Sequence, residues 1–481
     1  MAHHEPARYE AAHYDLAIIG SGSGNSLITP FWDDKKVAII DAGIFGGTCL
    51  NVGCIPTKMF AYPAQLAASA VQARELGVNL VHEGSDWAAI RDRIFGRIDA
   101  ISEGGRHYRA DELENVDLYQ EHVTVTADHR LLTDSGTTID AKKIVIAAGS
   151  RAVLPQVPGI ELPGIHTSDT IMRLEAMPER LVVVGGGYVA SEFAAVFASF
   201  GSTVTQVNRS GALLREQDAD ISAAFTDAAA RRWNVELDAN LLRIEQREGH
   251  LRLHFARAGG ELVLDADTVL VAVGRRPNTD TLGVAALGLD LRANGALRVD
   301  EYQRVMRGGE PVEGMFALGD VANVDQLKHV ANREARVVVH NLENPSAMWT
   351  MDRSAVPAAV FSNPQVAAVG LTEAQAIDAH GANDVATSTQ PFGSTAYGWA
   401  MEDTEGIVKL VAHKGTRRLL GAHIMGHEAA LLIQPLIQAM ATDLDLVEMA
   451  RGQFWIHPAL SEVVENALLS LGLAGRPGDP L

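Results

Sequence analysis

The two cysteines of this chain, Cys49 and Cys54, are its side chains best suited to redox chemistry, and they stand five residues apart in GGTCLNVGCIPTK. A regular helix rises about 7.5 Å over five residues, whereas the Cα atoms of a disulfide lie roughly 4.4–6.8 Å apart. An undistorted helix therefore cannot hold a bond between them, and the turn must open. Gly53 supplies backbone freedom before the second cysteine, and Pro56 is tolerated only near a helix start.

Three interpretations of the cysteine pair stay open from these residues alone. They are a redox-active disulfide, two unlinked buried thiols, and half of a metal site. A metal needs further ligands, and the sequence has no nearby cysteine or Cys-His cluster to supply them, so we expect no metal. In a reducing compartment a close cysteine pair more often serves redox or metal chemistry than structure.

Composition and charge narrow the classes of function. A chain of 481 residues, 47% apolar and 21% charged, indicates a globular protein of about three domains. Its formal net charge of −20 argues against nucleic acid or an anionic membrane as a partner. No apolar run is long enough to cross a bilayer, and MAHHEPARYEAAH lacks a signal-peptide pattern, so we expect a soluble, cytoplasmic protein. The first dozen residues are expected to be disordered.

The first strand–turn–helix signal is YDLAIIGSGSGNS. The apolar run Leu16–Ile19 predicts a buried strand, and Gly20 and Gly22 open a dinucleotide-binding turn in which the backbone approaches a pyrophosphate. The sixth position, usually Gly or Ala, is Asn25, so the match is imperfect. The next strand, KKVAIID, ends in Asp41, where an acidic residue is expected to grip a ribose. An ordinary strand–helix turn is the alternative, which Asp41 disfavours.

A second and cleaner fingerprint lies in LVVVGGGYVASEFAAVFASFG. Leu181–Val184 predicts a strand, and Gly185, Gly187 and Ala190 complete the pattern before an amphipathic helix. Such a turn predicts a second dinucleotide at the helix N-terminus.

The strand TVTQVN after this fingerprint bears on which nicotinamide dinucleotide binds. It ends in Asn208, where an NAD site usually has a carboxylate, and Arg209 and Arg215 follow. Two guanidinium groups without a carboxylate favour the 2′-phosphate of NADPH. The alternative is that both arginines are solvated surface charges.

A third signal, GMFALGDVA, has the apolar run Met315–Leu318 followed by Gly319 and Asp320. A carboxylate at the C-terminal end of a strand lies where α/β folds bind ligands. The alternative is that Asp320 caps the next helix. Two dinucleotide folds in one chain indicate two dinucleotides, for which flavin and nicotinamide are the natural pair.

At this point the chain resembles the class I pyridine nucleotide–disulfide oxidoreductases, the family of glutathione reductase and dihydrolipoyl dehydrogenase. Beside GGTCLNVGCIPTK and both fingerprints, the resemblance includes AAGSRAVLP, VAVGRRPNT, ALGDVA, VPAAVFSNPQVAAVGLTE and IHPALSEVVENAL, and it covers almost the whole chain. It implies an α/β fold with two Rossmann-like dinucleotide-binding domains, for FAD and NADPH, and a C-terminal α+β dimerisation domain.

The resemblance also implies domain boundaries. We expect an FAD domain at 1–165, completed by 290–350, with an NADPH domain at 166–289 inserted and an interface domain at 351–481. Within the last, GIVKLVAH and LLGAHIMG predict antiparallel strands, and Pro435 predicts a break in the following helical segment.

Site residues follow from the resemblance position by position. The expected cofactor-binding residues are Gly20, Gly22, Asp41, Gly47, Thr48, Lys58, Gly149, Asp320, Gly185, Gly187, Tyr188, Asn208, Arg209, Arg215, Gly274 and Arg275. The expected catalytic residues are Cys49, Cys54, His457, Glu462, Lys58 and Glu192.

Their implied roles are distinct. Cys54 should lie against the flavin while Cys49 faces the substrate. Lys58 and Glu192 should form an ion pair beside the flavin, with Tyr188 as a gate on its nicotinamide side. His457 and Glu462, in HPALSE, should be the acid–base pair. In this family that pair comes from the partner subunit, which implies a homodimer with His457 donated across the interface.

The implied reaction carries electrons from NADPH through FAD to the cysteine pair and then to a small disulfide substrate. GSGSGNS and QFWIHPALSEVVENALL are most similar to the mycothione reductases, which implies mycothiol disulfide, the oxidised form of a cysteinyl glucosamine–inositol conjugate. Glutathione disulfide and dihydrolipoyl substrates are the alternatives, as are a flavin diaphorase or quinone reductase and a nicotinamide-binding sensor without turnover. Trp455 is a candidate lining residue of the substrate cleft, with a core or interface role as the alternative.

Overall fold

The computed structural model describes residues 11–480, and the chain divides into two compact units. The first contains Met1–Pro56, Arg91–Val153 and Arg275–Asp352; the second contains Thr57–Ile90, Leu154–Gly274 and Arg353–Leu481. Of the dozen N-terminal residues expected to be disordered, residues 1–10 lie outside the described part, and Ala12 already begins the first strand.

The secondary structure follows the chain in this order. The strands are β1 Ala12–Ile19, β2 Val37–Ile40, β3 Val116–Tyr119, β4 Val123–Ala127, β5 Arg130–Thr133, β6 Thr138–Ile146, β7 Ser150–Ala152, β8 Ile165–His166, β9 Arg180–Val184, β10 Thr203–Val207, β11 Asn234–Glu236, β12 Asn240–Arg247, β13 His250–Arg257, β14 Gly260–Ala266, β15 Thr268–Val271, β16 Arg275–Pro277, β17 Arg304–Arg307, β18 Glu310–Ala317, β19 Pro357–Val360, β20 Gln365–Gly370, β21 Val385–Pro391, β22 Ile407–His413 and β23 Arg418–Gly426. The helices are α1 Gly47–Asn51, α2 Cys54–Glu75, α3 Trp87–His107, α4 Tyr188–Phe200, α5 Ala219–Ala230, α6 Lys328–Glu343, α7 Glu373–His380, α8 Ala396–Ala400, α9 Ala429–Leu432, α10 Gln434–Ala441, α11 Leu446–Arg451 and α12 Glu462–Leu469.

The first unit is built on a sheet in the order β17-β18-β6-β1-β2-β3, with β5 and β4 continuing antiparallel from β6. The pairings β18–β6, β6–β1, β1–β2 and β2–β3 are parallel, so their carboxyl ends meet at one edge. Alternation along β1 sends Leu16 and Ile18 into one apolar core and Ala17 and Ile19 into another. Both faces are covered, which accounts for the uninterrupted apolar runs of these strands.

The second unit contains a parallel sheet in the order β11-β10-β9-β15-β8 and an antiparallel sheet of β12, β13 and β14. Helix α4 follows β9 directly and packs against β10, with most of its residues buried. This is the strand–turn–helix arrangement that the second fingerprint predicts.

The C-terminal part of the second unit is an antiparallel sheet in the order β19-β20-β23-β22-β21. Helices α9 to α12 follow it, and residues of the sheet and of these helices share one apolar core. Pro435 lies at the start of α10, immediately after α9 ends, so the predicted helix break is confirmed. The expected fold class is confirmed by both units. Within residues 11–480, none of the helices is long and apolar enough to cross a membrane.

Candidate functional site

The two cysteines lie on either side of a helix break. Helix α1 ends at Asn51, Val52 leaves the helical conformation with φ −142° and ψ 13°, and α2 begins at Cys54. The prediction that the turn between the cysteines must open is therefore confirmed. Cys49 is half-buried and Cys54 is exposed. A side-chain hydrogen bond with Cys54, together with burial, raises the pKa of the Cys49 thiol. The redox disulfide itself stays a prediction.

Gly53 is needed at this break for a reason other than backbone freedom. It is not among the glycines with positive φ. A Cβ at this position would come 2.9 Å from the carbonyl oxygen of Thr48 and 3.2 Å from its methyl carbon. The close approach of α1 to the start of α2 therefore excludes a larger residue.

A cradle of glycine backbone lies at the carboxyl edge of the first sheet. Gly20 has φ +107°, and a Cβ there would lie 2.3 Å from the carbonyl oxygen of Ala147. A Cβ on Gly47 would lie 2.7 Å from the Cα of Gly22, so the glycine turn packs directly on the start of α1. These contacts leave bare backbone where a pyrophosphate must approach closely.

Asp41 lies beside this cradle, directly after β2. Its Oδ2 accepts hydrogen bonds from the Ser21 backbone N–H at 2.6 Å and from the Ser21 hydroxyl at 2.5 Å. Its Oδ1 accepts from the Gly43 N–H at 2.8 Å. The carboxylate is thereby fixed at the sheet edge, and it stays partly exposed.

Asp320 lies at the same edge, in the short 3₁₀ turn Gly319–Val321 that follows β18. The alternative that it caps the next helix is wrong, because Leu327 is the N-cap residue of α6. The Ser150 hydroxyl donates to Asp320 Oδ2 at 2.6 Å. Arg275 in turn donates to the Ser150 hydroxyl at 2.8 Å and to the Ser150 carbonyl at 2.7 Å.

Two further predicted residues border this arrangement. Gly149 has φ +67°, and its carbonyl accepts from the Asn278 N–H at 3.1 Å. Thr48 is an exposed residue of α1, one position before Cys49. The glycine cradle with two partly exposed carboxylates at one sheet edge fits FAD: backbone for the pyrophosphate, carboxylates for hydroxyl groups.

The second glycine turn has the same construction. Gly185 has φ +141°, and a Cβ there would lie 2.2 Å from the carbonyl oxygen of Ala272. Gly187 is the N-cap of α4 and has open space around its Cα, and Tyr188 begins the helix with 41% of its surface exposed. Gly274, two residues after Ala272, has φ +139°. A helix N-terminus with bare backbone before it fits the pyrophosphate of a second dinucleotide.

Asn208 is buried under this turn, and its side chain is committed to the loop that follows. Its amide donates to the Ser210 hydroxyl at 2.9 Å and to the Ala212 carbonyl at 2.7 Å. Arg209 and Arg215 are both exposed. Among the ion pairs of the described residues, Arg215 has one, with its neighbour Glu216 at 3.2 Å. The buried amide thus shapes a loop that presents two guanidinium groups to solvent.

Lys58 and Glu192 form the expected ion pair within the second unit. Lys58 Nζ lies 2.8 Å from both carboxylate oxygens of Glu192, which is 3% exposed. The Phe361 backbone N–H donates to Glu192 Oε1 at 2.8 Å, and the Lys58 ammonium lies 4.8 Å from the centre of the Phe361 ring.

His457 and Glu462 form a second pair, at the start of α12. His457 Nδ1 lies 2.6 Å from Glu462 Oε1, and the Ala459 N–H donates to Glu462 Oε2 at 3.2 Å. The His457 side chain is 71% exposed. The hydrogen bond with His457 is the main cause that lowers the pKa of the Glu462 carboxyl. An exposed imidazole oriented through Nδ1 by a carboxylate is suited to move protons at Nε2.

The residues before His457 divide between core and surface. Trp455 packs against the C-terminal core and donates its indole N–H to the Ala450 carbonyl at 3.0 Å, so the core alternative is confirmed for it. Phe454 and Ile456, on either side, are 104% and 75% exposed. Exposed apolar side chains of this size are a feature of protein–protein contact surfaces.

Comparison with known proteins decides the family. The model of the pyridine nucleotide-disulphide oxidoreductases matches residues 14–335, and the model of their dimerisation domain matches residues 356–468. The chain belongs to this family. It is 49% identical over 469 residues to mycothione reductase of Mycobacterium tuberculosis, covering 95% of this chain and 99% of the relative. It is 32% identical to glutathione reductase of Burkholderia cepacia, covering 93% and 97%. The HOCl-induced flavoprotein disulfide reductase RclA from Escherichia coli has a similar structure, with a TM-score of 0.81 and 28% identity, covering 95% of this chain and 99% of that one.

The expected family is confirmed by these matches, and with it the enzyme class and the cofactors expected from the sequence. The chain is a flavoprotein disulfide reductase that uses FAD and NAD(P)H. Its dimerisation domain indicates a homodimer.

Several residues that build the site are not among those predicted from the sequence. Ser21 and Ser150 hold the two carboxylates at the first sheet edge, and Phe361 holds Glu192. The role of Ser21 could have been predicted from the sequence. Its hydroxyl lies between Gly20 and Gly22, at the end of β1, and therefore close to Asp41 at the end of the neighbouring strand β2. The role of Phe361 could not, since it stands 169 positions from Glu192.

Proposed function

We propose that this protein reduces mycothione with NADPH, through FAD and a redox-active Cys49–Cys54 pair. The observation that carries the substrate is the 49% identity to mycothione reductase over 95% of the chain, against 32% to glutathione reductase. The domain boundaries that accompany this proposal are 1–165 and 290–350 for FAD, 166–289 for NADPH and 351–481 for the interface.

The proposed cofactor sites use the residues described above. Asp41 and Asp320 hold the FAD ribose and ribityl hydroxyls, and the bare backbone at Gly20 and Gly22 receives its pyrophosphate. When bound, FAD supplies a two-electron relay between the nicotinamide and the cysteine pair. Tyr188, exposed at the first position of α4, covers the nicotinamide side.

The choice of NADPH is supported by the loop after β10. Arg209 and Arg215 are exposed, and the position of the usual carboxylate is occupied by the buried amide of Asn208. No carboxylate stands at position 208 to repel a 2′-phosphate, and two guanidinium groups attract it.

The chemical step proceeds by thiol–disulfide exchange. The Cys49 thiolate attacks one sulfur of mycothione, which breaks the substrate S–S bond and forms a mixed disulfide. His457 protonates the first mycothiol as it leaves. The Cys54 thiolate then attacks the Cys49 sulfur, which forms the Cys49–Cys54 bond and releases the second mycothiol. Two electrons from NADPH reduce that bond again.

His457 acts, in this proposal, on the substrate bound by the other subunit. Its imidazole is 71% exposed and stands next to the exposed Ile456, with Phe454 three positions before it. An acid–base pair at the edge of an uncovered apolar surface is expected where a second copy docks. Glu462 fixes the imidazole through Nδ1, which leaves Nε2 to the substrate.

A substrate panel tests the reaction. The holoenzyme is assayed with mycothiol disulfide, glutathione disulfide and lipoamide, each with NADPH and with NADH. The proposal expects the highest kcat/KM for mycothiol disulfide with NADPH. Comparable values for glutathione disulfide would overturn the substrate, and a preference for NADH would overturn the role of the two arginines.

Complementation between subunits tests the donated histidine. Cys49→Ser and His457→Gln homodimers should each fail to reduce the substrate. Differently tagged copies of the two variants, co-expressed and purified as the heterodimer, should regain about half the wild-type activity, because one of the two sites then has both residues. A heterodimer as inactive as its parents would show that His457 serves its own chain.

A further inference from the structure

Lys328 carries a positive charge where local electrostatics oppose one. It is the first residue of α6, a helix of 16 residues whose first turn has no acidic residue. The N-terminus of a helix is its positive end, so a cation there is unfavourable. The side chain is partly buried, and the ion pairs of the described residues do not include it. A residue that breaks a local rule without local compensation is expected to serve a function.

The contacts of Lys328 lead to the helix turn that bears the first cysteine. Its ammonium donates to the Ser23 hydroxyl at 2.8 Å. Ser23 directly follows Gly22, whose Cα lies against Gly47, the first residue of α1. Cys49 is the third residue of that one-turn helix.

The charged and titratable groups that act on Cys49 come from two elements. From α2, the side chain of Cys54 raises the pKa of the Cys49 thiol, through a hydrogen bond and through its charge, while the backbone N–H of Cys54 lowers that pKa. From α6, the Lys328 ammonium lowers the pKa of the same thiol. The lysine therefore opposes the effect of burial and of the second sulfur.

We propose that Lys328 is a positioning residue of the redox pair, whose ammonium stabilises the Cys49 thiolate that attacks the substrate. This role rests on the proposed function only in taking Cys49 as the attacking thiol. It extends the set of residues that prepare the exchange beyond the cysteines and the His457–Glu462 pair.

The chain offers an unusually clean measurement, because it has two cysteines only. In the Cys54→Ser holoenzyme, Cys49 is the sole thiol. Iodoacetamide alkylates its thiolate, forming a C–S bond as the C–I bond breaks and iodide leaves, so the rate between pH 6 and 10 reports the pKa of Cys49. Adding Lys328→Met should slow alkylation at pH 7 by about 3- to 10-fold, which corresponds to a pKa higher by roughly 0.5–1 unit. Lys328→Arg should keep the original rate.

Two comparisons keep the test specific. Lys142→Met removes the same charge from an exposed lysine of the same unit and should leave the alkylation profile unchanged. Flavin content is measured by absorbance, with saturating FAD present during alkylation, because the ammonium could instead serve the dinucleotide phosphates. An unchanged Cys49 profile in Lys328→Met, with or without weaker FAD binding, would overturn the proposal. The assay uses neither mycothione nor NADPH, so an error in the proposed substrate does not affect it.

Discussion

Lys58 Nζ lies 2.8 Å from both carboxylate oxygens of Glu192, and the carboxylate is almost completely buried while the lysine is partly exposed. A buried charge that loses its partner is costly, because the remaining charge stays desolvated. We expect Glu192→Gln to lower the free energy of unfolding by about 1–3 kcal/mol, since the exposure of Lys58 moderates the loss. The glutamine can still accept from the Phe361 N–H, so the change isolates the charge.

Thermal and urea unfolding of the holoenzyme measure this effect. Asp15→Asn is the matched control, because it breaks the pair with Lys142, whose side chain is 78% exposed. Asp15→Asn should lower the free energy of unfolding by less than about 1 kcal/mol. Equal losses in the two variants would contradict a special role for burial at Glu192.

Gly53→Ala should impair the cysteine pair through steric contact. The new Cβ would meet the Thr48 carbonyl oxygen at 2.9 Å, so α1 and the start of α2 must move apart. Displacements of about 1 Å at reacting atoms cost up to 100-fold in rate, and we expect disulfide reduction to fall at least about 10-fold. Gly96→Ala in α3, where the Cβ meets nothing within 4 Å, should leave activity unchanged. Steady-state assays with the disulfide substrate compare the two.

The pair of His457 and Glu462 predicts a pH dependence of stability. The folded-state pKa of Glu462 is lowered from its ordinary value of 4.5, first by the hydrogen bond to His457. The ionised Glu462 therefore stabilises the folded state fully at pH values above its ordinary pKa. This stabilisation is lost as the pH falls through the lower pKa that Glu462 has in the folded state. The difference in melting temperature between the wild type and Glu462→Gln should be greatest near neutral pH and should disappear in acid.

Glu465, three positions along the same helix, has a pKa that is shifted in the opposite direction from that of Glu462. Burial, followed by the charge of Glu462, raises its pKa, so its ionised form opposes folding at neutral pH. Glu465→Gln should therefore keep or raise the melting temperature at pH 7. A loss equal to that of Glu462→Gln would mean that both carboxylates act only through helix contacts.

The sequence predicts the frame of this molecule better than its side-chain contacts. Strands such as Leu181–Val184 are predicted because an unbroken apolar run before a glycine turn has few alternatives. The helix break between the cysteines follows from their spacing on the condition that the two are to form a disulfide. Asn208 is predicted to adjoin the cofactor, and the structure adds that its amide donates to Ser210 and Ala212, contacts that no sequence pattern encodes. Contacts such as Phe361 to Glu192 join distant segments and have no local signal.

Arg209 and Arg215 should determine the preference for NADPH. Both are exposed on the loop after β10, and each would make charged hydrogen bonds to a 2′-phosphate. Replacing both with alanine should raise KM for NADPH by about 10- to 100-fold while leaving KM for NADH nearly unchanged. Arg257→Ala, an arginine of the same unit that pairs with Glu236, should change neither value. Parallel increases in both KM values would show that the two arginines bind a part common to both dinucleotides.

Asn208→Asp should fail as a route to an NADH-dependent enzyme. The amide N–H groups donate to the Ala212 carbonyl at 2.7 Å and to the Ser210 hydroxyl at 2.9 Å, and a carboxylate cannot donate to that carbonyl. Two acceptors would face each other in a buried position, which costs roughly 1–3 kcal/mol. We therefore expect a lower melting temperature and a higher KM for both dinucleotides, because the loop that carries Arg209 loses its support. A selective gain in kcat/KM for NADH at unchanged stability would show that residue 208 faces the ribose directly, as an acidic residue does in NAD sites.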